Sequence, residues 1–302
     1  MSGYHTPVML DESVSALVGN TDGIYADATF GGGGHTAEIL SRLSGKGRVI
    51  AFDRDADAIG NCRINDERLT LVRNNFRFIR NYVLLEGYGE GIDGILADLG
   101  VSSHQFDTPD RGFSFRYDAP LDMRMNTEAN LTAADIVNLY GEEEIEKILR
   151  LYGEVDGSRR IASMICRARA KSAIMTTGDL DAAIAEATPK TAGHKFLAKV
   201  YQALRIEVNQ EMKSLEKFLS GAEKSLRSGG RLVVITYHSL EDRMVKNFIR
   251  SGNVDGKVEK DMFGNISAPM RAAGRKPVVP REEEIASNTR ARSAKLRVAE
   301  KI

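Results

Sequence analysis

Cysteine is scarce in this chain: Cys62 and Cys166 are the only two in 302 residues, far apart and in no Cys-x-x-Cys pattern. That excludes a disulfide framework and a zinc ribbon, and the pair reads as reduced thiols of a cytosolic protein. Long apolar runs are missing as well. The longest extend only a few residues, such as 232–235, so no segment is expected to span a membrane. The start, Met1-Ser2-Gly3-Tyr4-His5-Thr6-Pro7, has neither a basic stretch nor an apolar core and predicts no signal peptide. Net charge is absent too, because 42 basic residues balance 42 acidic ones. Binding of nucleic acid by overall charge is thereby excluded, and any such contact must use local patches.

What is present is an alternation of strand and helix patterns in a chain too long for one ordinary core. Apolar runs at 23–28, 48–52, 69–72 and 92–97 are separated by helix-patterned stretches, which predicts an α/β fold with a parallel sheet and crossover helices. The runs end on Asp27, Asp53, Asn74-Asn75 and Asp98, and in such sheets ligands bind at the carboxyl ends of strands. From about 131 to 226 the texture is helical throughout, as expected of an all-α insertion or a second domain. There Thr132 caps a helix through Leu139 that Gly141 closes, and further helices are expected over 142–151, 158–171, 179–187 and 195–226, the last broken near Val208-Asn209. Ser228-Gly229-Gly230 then stops the helix before a strand over 231–237, a helix over 239–250 and a closing strand over 294–299.

Four consecutive glycines, Gly31, Gly32, Gly33 and Gly34, follow the first run and precede a helix expected over 36–43. Glycine accepts positive φ and lets backbone N–H groups approach a ligand, so such a turn at a helix start suits an anionic or carboxylate-bearing cofactor. Asp53 lies 20 residues beyond Gly33 at the tip of the second run, where an acid can accept both hydroxyls of a ribose. These two features alone do not separate NAD from S-adenosylmethionine, and a helix N-cap is the structural alternative for Asp53. Asp98 ends the fourth run, which in a doubly wound sheet lies beside the first, so it should face the glycine turn across the crevice. There it is an anionic acceptor able to stabilise developing positive charge, or else a turn-former before Leu99-Gly100.

Other segments carry polar chemistry. His238, within Tyr237-His238-Ser239-Leu240-Glu241-Asp242-Arg243, ends the returning strand and can exchange a proton near neutral pH, while Ser239 with Asp242 reads as a helix cap. Arg111, Phe113, Phe115 and Arg116 interleave aromatic and basic side chains, suited to a single-stranded base or, as plainly, to a buried Phe pair anchoring a loop. Between 158 and 178 there are five basic residues and no acid, with Arg160, Arg167 and Lys171 on one helical face. Arg290, Arg292, Lys295 and Arg297 form a second cluster; solvated helix faces explain many such runs.

Six segments, in order and over nearly the whole chain, resemble one family. They are Asp27-Ala28-Thr29-Phe30-Gly31-Gly32-Gly33-Gly34-His35, Asp98-Leu99-Gly100-Val101-Ser102-Ser103, Arg111-Gly112-Phe113-Ser114-Phe115, Leu121-Asp122-Met123-Arg124-Met125, His238-Ser239-Leu240-Glu241-Asp242-Arg243 and Asn288-Thr289-Arg290-Ala291-Arg292-Ser293. The family is the bacterial ribosomal RNA small subunit methyltransferases of the MraW type. The resemblance implies a class I S-adenosylmethionine-dependent methyltransferase, a Rossmann-like sheet formed by 1–107 and 208–302 with an inserted all-α domain, 108–207, for substrate recognition. It implies N4-methylation of a cytidine in the decoding centre of 16S rRNA, S-adenosyl-L-methionine as cofactor, the small ribosomal subunit as partner, a cytoplasmic setting and no membrane; no residue is assigned to a metal, and a metal requirement and a homodimer stay open.

By matching motif, the resemblance places cofactor contacts on Gly33, Gly34, His35, Asp53, Phe76, Asp98 and Gln105. Asp98 is the first candidate for catalysis and His238 the second, with Arg111, Phe113, Phe115, Arg160, Arg167 and Lys171 expected at the substrate. Gly32 and Thr289 depart from the family pattern, which more often has a basic residue and a proline there. Two rival functions share these features: an NAD-dependent oxidoreductase, and a ribosome-assembly factor that binds RNA without catalysis.

Overall fold

The computed structural model describes residues 7–260, 262 and 268–302. Among them the chain divides into two compact units, one formed by the residues up to Gly100 with Met212–Ile302, the other by Val101–Glu211. The helical stretch expected at 108–207 falls inside the second unit.

In the first unit the apolar runs become strands β1 (Ile24–Asp27), β2 (Arg48–Asp53), β3 (Leu69–Arg73) and β4 (Ile92–Asp98), joined later by β5 (Leu226–Thr236), β6 (Met270–Ala272) and β7 (Lys295–Lys301). The sheet order is β3-β2-β1-β4-β5-β7-β6. Strands β1 to β5 pair in parallel, whereas β7 runs antiparallel to both β5 and β6. Helices α1 (Leu10–Leu17), α2 (Gly34–Arg42), α3 (Ala56–Gly60) and α4 (Ile79–Leu85) belong to the N-terminal part of this unit.

Near-continuous apolar strands are what a sheet covered on both faces requires. Ala26, Ile50, Phe52, Ile95, Leu232 and Val234 pack on one face with Ile79 and Val83 of α4. Their strand neighbours Tyr25, Val49, Leu96, Val233 and Ile235 pack on the other, against Val14 and Leu17 of α1 and Ile39 and Leu40 of α2. Period-two alternation therefore feeds two cores, and the polar residues that end β1, β2 and β4 share one edge.

The second unit carries helices α5 (Ser103–Asp107), α6 (Ala133–Leu139), α7 (Glu142–Gly153), α8 (Ser158–Arg169), α9 (Thr177–Ala183) and α10 (Gly193–Asn209). Capping boxes start several of them: Ser102 with Gln105, Thr132 with Asp135, and Thr176 with Asp179. Gly141 does not close α6, as expected, but stands at the N-cap of α7, its N–H donating to Glu144. Ile136, Ile145, Leu149, Ile161, Ile165 and Leu204 are fully or almost fully buried in its core. The expected break near Asn209 is a left-handed residue, Gln210 at φ +48°, after which α11 (Glu211–Ser225) begins. Leu215, Phe218, Leu219 and Ala222 of α11 lie in the core of the first unit, where α12 (Ser239–Ser251) and α13 (Glu282–Ser287) follow β5 and β6.

One expectation needs correction here, and one strand was not foreseen. Ser228-Gly229-Gly230 does not stop a helix, because Leu226 already pairs with Ile92; the register then shifts before Gly94 meets Arg231. The glycines therefore form an irregularity inside β5, with Gly229 at φ +78°. Strand β6 escaped notice because three residues are too short to show alternation. Among the described residues no helix is long and apolar enough to cross a membrane.

Asn209 shows how the helical unit holds its loop. Its Oδ1 accepts the Met125 N–H at 2.8 Å, and its Nδ2 donates to the carbonyls of Met123 at 2.7 Å and Arg205 at 2.9 Å. Asn209→Leu keeps the bulk and removes the buried side-chain partner of the Met125 N–H and the Met123 carbonyl, costing about 1–3 kcal/mol for each group left unpaired. Urea denaturation followed by circular dichroism should show the midpoint falling accordingly.

Candidate active site

The glycine turn is tied down on three sides. Asp27, with no solvent exposure, accepts the Thr29 N–H at 3.0 Å and the Thr36 hydroxyl at 2.7 Å. The Phe30 N–H donates to the Phe52 carbonyl at 2.7 Å, and the Gly31 N–H to Asp53 at 2.8 Å. Gly33 adopts φ +79° as the N-cap of α2, and a Cβ there would stand 2.9 Å from the Phe30 ring. At Gly34 a Cβ would run into the Pro7 ring. Gly32 is exposed, so its departure from the family pattern meets no packing constraint.

Asp53 has both oxygens engaged by backbone, Oδ2 by Gly31 and Oδ1 by the Asp55 N–H at 2.8 Å. Burial pushes its carboxyl above the usual range, and these two donors oppose that shift. It is not the helix cap considered above: Asp55 caps α3 through the Asp57 N–H. Phe76 is half-buried in a short 3₁₀ turn, its ring edge-on to Phe218 with centroids 5.1 Å apart.

His238 takes the place expected of Ser239. It is the N-cap of α12, its Nδ1 accepting from the Glu241 N–H at 3.4 Å, with Nε2 only 3.0 Å from Glu241 Oε1. The cap is one residue earlier than expected, and Asp242 instead pairs with Arg297 at 2.7 Å and Lys295 at 3.3 Å. This also neutralises part of the C-terminal basic cluster.

In the helical unit, taken by itself, the interleaved arginines and aromatics do structural work. Arg111 is 7% exposed, and its Nη2 donates to the carbonyls of Arg124 and Met125, both at 3.0 Å. Phe113 is 6% exposed and belongs to the core, which leaves it no face for a base. Burial gives both a structural role in this loop. Phe115 is half-buried, edge-on to Tyr201 at 5.4 Å. Gln105 is buried, with Oε1 accepting the Ser102 N–H in the cap of α5. Arg160 and Arg167 are exposed on α8, and Lys171 is exposed just beyond its end.

Asp98, in contrast, meets chemistry from several elements of the first unit. Its N–H donates to the Thr29 hydroxyl at 2.7 Å, which fixes the tip of β4 to the glycine turn. The Tyr237 hydroxyl donates to Asp98 Oδ1 at 2.7 Å, and His35 Nδ1 lies 4.0 Å from Oδ2. Burial pushes the carboxyl up to about 6; His35 and Tyr237 pull it down, whereas Asp27 and Glu241 push it further up. The profile of the MraW methylase family matches residues 2–302. The chain belongs to that family.

Full-length relatives agree. Ribosomal RNA small subunit methyltransferase H of Parabacteroides distasonis is 55% identical over 301 residues, which is 100% of this chain and 98% of that protein. The protein of the same name from Bacteroides fragilis strain YCH46 is 55% identical over 99% of this chain and 97% of its own, and that of Flavobacterium johnsoniae is 50% identical over 99% and 98%. Among solved structures, an rRNA methylase of Streptococcus thermophilus at 14% identity overlays with a TM-score of 0.40, covering 97% of this chain and 93% of that one. The strand order, with β7 reversed, is that of class I S-adenosylmethionine-dependent methyltransferases, and the MraW helical unit stands between β4 and β5.

Tyr237 is the residue of this MraW site to which sequence patterns assigned no role. Asp98 pairs with Ile235 across β4 and β5, so Tyr237, two residues on, projects from the same face. Only the pairing register reveals that proximity.

The raised Asp98 carboxyl has a stability consequence. An acid whose folded pKa exceeds its unfolded value costs nothing below the unfolded value, and the cost grows until pH passes the folded one. Asp98→Asn should therefore raise the melting temperature at pH 8, with the gain fading between about pH 6 and pH 4. Calorimetry across that window measures it; a gain independent of pH contradicts the assignment.

Proposed function

We propose that this chain methylates small-subunit ribosomal RNA, transferring a methyl group from S-adenosylmethionine to N4 of a cytidine in the decoding centre of 16S rRNA, in the cytoplasm. Full-length identity of about half or more to rRNA small subunit methyltransferases carries the proposal. The strand-tip geometry supports its chemistry.

The residues present fit the cofactor. Gly31 and Gly33 hold left-handed backbone where a side chain would be strained, and a Cβ on Gly33 would press on Phe30, so the turn keeps a side-chain-free surface. Acids at neighbouring tips, Asp53 and Asp98, complement ribose hydroxyls and a cationic sulfur. Gly33, Gly34, His35, Asp53, Phe76 and Asp98, all of the first unit, would hold the cofactor. When bound, it supplies an electrophilic methyl group.

Cytosine N4 is a weak nucleophile because its lone pair is delocalised into the ring. Positioning it, and accepting its hydrogens as positive charge develops, is the work left to the protein. Asp98 is the group for that role, because burial leaves its carboxyl more basic than an ordinary aspartate. His238 is the weaker candidate, since its Nδ1 is spent capping α12 and its Nε2 lies against Glu241. A base inside rRNA must also leave its stack, and of Phe113 and Phe115 only the second keeps partial exposure. Arg160, Arg167 and Lys171 form a local basic face suited to phosphates in a chain of zero net charge.

Asp98→Asn should remain folded and transfer no methyl group to small subunits purified from cells lacking this activity, as read by mass mapping of 16S rRNA. Full activity of that variant overturns the role given to Asp98. Calorimetry should show binding of S-adenosylmethionine and none of NAD, which decides against the oxidoreductase. Replacing Arg160, Arg167 and Lys171 together with Gln should weaken subunit binding and flatten its salt dependence, the logarithmic slope falling by roughly one for each phosphate no longer neutralised. An unchanged salt slope removes these residues from the interface.

A further inference from the structure

Two side chains divide the Asp98 carboxylate between its oxygens. The Tyr237 hydroxyl is committed to Oδ1 at 2.7 Å, while His35 presents Nδ1 to Oδ2 at 4.0 Å. Both are held from behind. His35 is 5% exposed, with Nε2 lying 3.2 Å from the Val8 carbonyl; a carbonyl only accepts, so Nε2 carries a hydrogen and Nδ1 is the nitrogen left toward Asp98. Tyr237 has its N–H bound to Glu241 Oε2 at 2.9 Å. Its ring lies beside Gly100, which adopts φ +101°. An exposed turn tyrosine needs none of this. The methyl transfer derived above, meanwhile, uses Asp98 alone.

Resting on the rRNA methyltransferase function proposed above, we propose that Tyr237 is a positioning residue that makes Asp98 a one-oxygen base. Its hydroxyl occupies Oδ1, so the proton leaving the substrate's amine is received at Oδ2, on the His35 side. The balance is simple. The N4 lone pair forms the new N–C bond, the C–S bond breaks with its electron pair remaining on sulfur, and N4 becomes cationic. N4 then gives one proton to Oδ2 and keeps the electron pair of that N–H bond, restoring a neutral amine. Asp98 becomes a carboxylic acid, and it is reset when that proton passes to solvent.

The pH behaviour follows from the groups that face Asp98: Asp27 at the end of β1, His35 of α2, Tyr237 beyond β5 and Glu241 of α12, with Glu284 of α13 acting on Tyr237. A hydroxyl that donates to a carboxylate favours its ionised form. Removing it raises the pH at which Asp98 becomes a base; strengthening it lowers that pH.

The test compares wild type, Tyr237→Phe and protein carrying 3-fluorotyrosine at position 237, a stronger donor of nearly the same size. Two quantities are measured: kcat on small subunits against pH, and the titration of the Asp98 carboxyl carbon by NMR in protein without ligands. In wild type both midpoints should fall near 6. Tyr237→Phe should move both upward by about one pH unit, with the loss of rate largest below pH 6 and recovering above pH 8, and with KM for subunits unchanged. Fluorotyrosine should move both downward. Loss of rate by the same factor at every pH, or a carboxyl titration indifferent to both replacements, overturns the role given to Tyr237. A wild type that binds cofactor but methylates no subunit overturns the functional proposal itself, a different result from either.

Discussion

The site hangs on a carboxylate that no water reaches. Asp27 ends β1 inside the protein, where an ionised group is tolerated only if hydrogen bonds replace its hydration, and here they come from the Thr29 N–H and the Thr36 hydroxyl. Those donors lie on either side of the glycine run, one before it and one in the first turn of α2, so satisfying Asp27 closes the turn. Thr29 passes the constraint on, because its hydroxyl accepts the Asp98 N–H and so fixes the neighbouring strand tip. Through Gly31 the same turn reaches Asp53 on β2. Three strand ends are thus held in register by donors that each serve a backbone or carboxylate need. The glycines let this happen without side-chain collision, but they do not by themselves hold the turn.

Much of this was legible because it is local or periodic. Burial on both faces of β4 and of the last half of β5 shows as continuous apolar runs, and the Thr132–Asp135 cap shows as residue types at a fixed spacing. The switch point followed from topology, so the placement of Asp98 beside the first strand needed no side-chain coordinates. What escaped depended on register or on competition for partners. His238 and Ser239 can both cap a helix, and the choice is made by where β5 ends, one residue before Tyr237. Likewise, an arginine interleaved with phenylalanines looks the same whether it awaits a phosphate or serves two carbonyls. Burial of Arg111 against the 124–125 backbone decides between them.

The same contrast separates the two kinds of basic residue. Lys295 and Arg297 are consumed by Asp242, so their cluster adds little field at the surface. Arg160, Arg167 and Lys171 have exposed side chains on and just beyond a helix whose apolar residues Ile161 and Ile165 are buried in the core of the helical unit. A chain with no net charge can bind an anionic polymer only through such uncompensated stretches, and screening confines their reach to about 10 Å at ordinary ionic strength. Recognition of that kind is short-ranged. It suits a target presented with a defined shape better than a search along free RNA.

In the role proposed for it, Asp98 joins stability and catalysis through one quantity. An aspartate in water is too acidic to retain a proton from an amine near neutral pH, while one buried without help would already be protonated and could accept nothing. Burial, Asp27 and Glu241 push the carboxyl in the second direction; Tyr237 and His35 pull it back. The outcome, about 6, leaves it ionised at neutral pH yet more basic than it would be at the surface. That balance costs folding stability, since ionising Asp98 is harder in the native protein than in the unfolded chain. The cost resides in the group proposed to take the proton, and it is bounded by a tyrosine that only the pairing of β4 with β5 brings into reach.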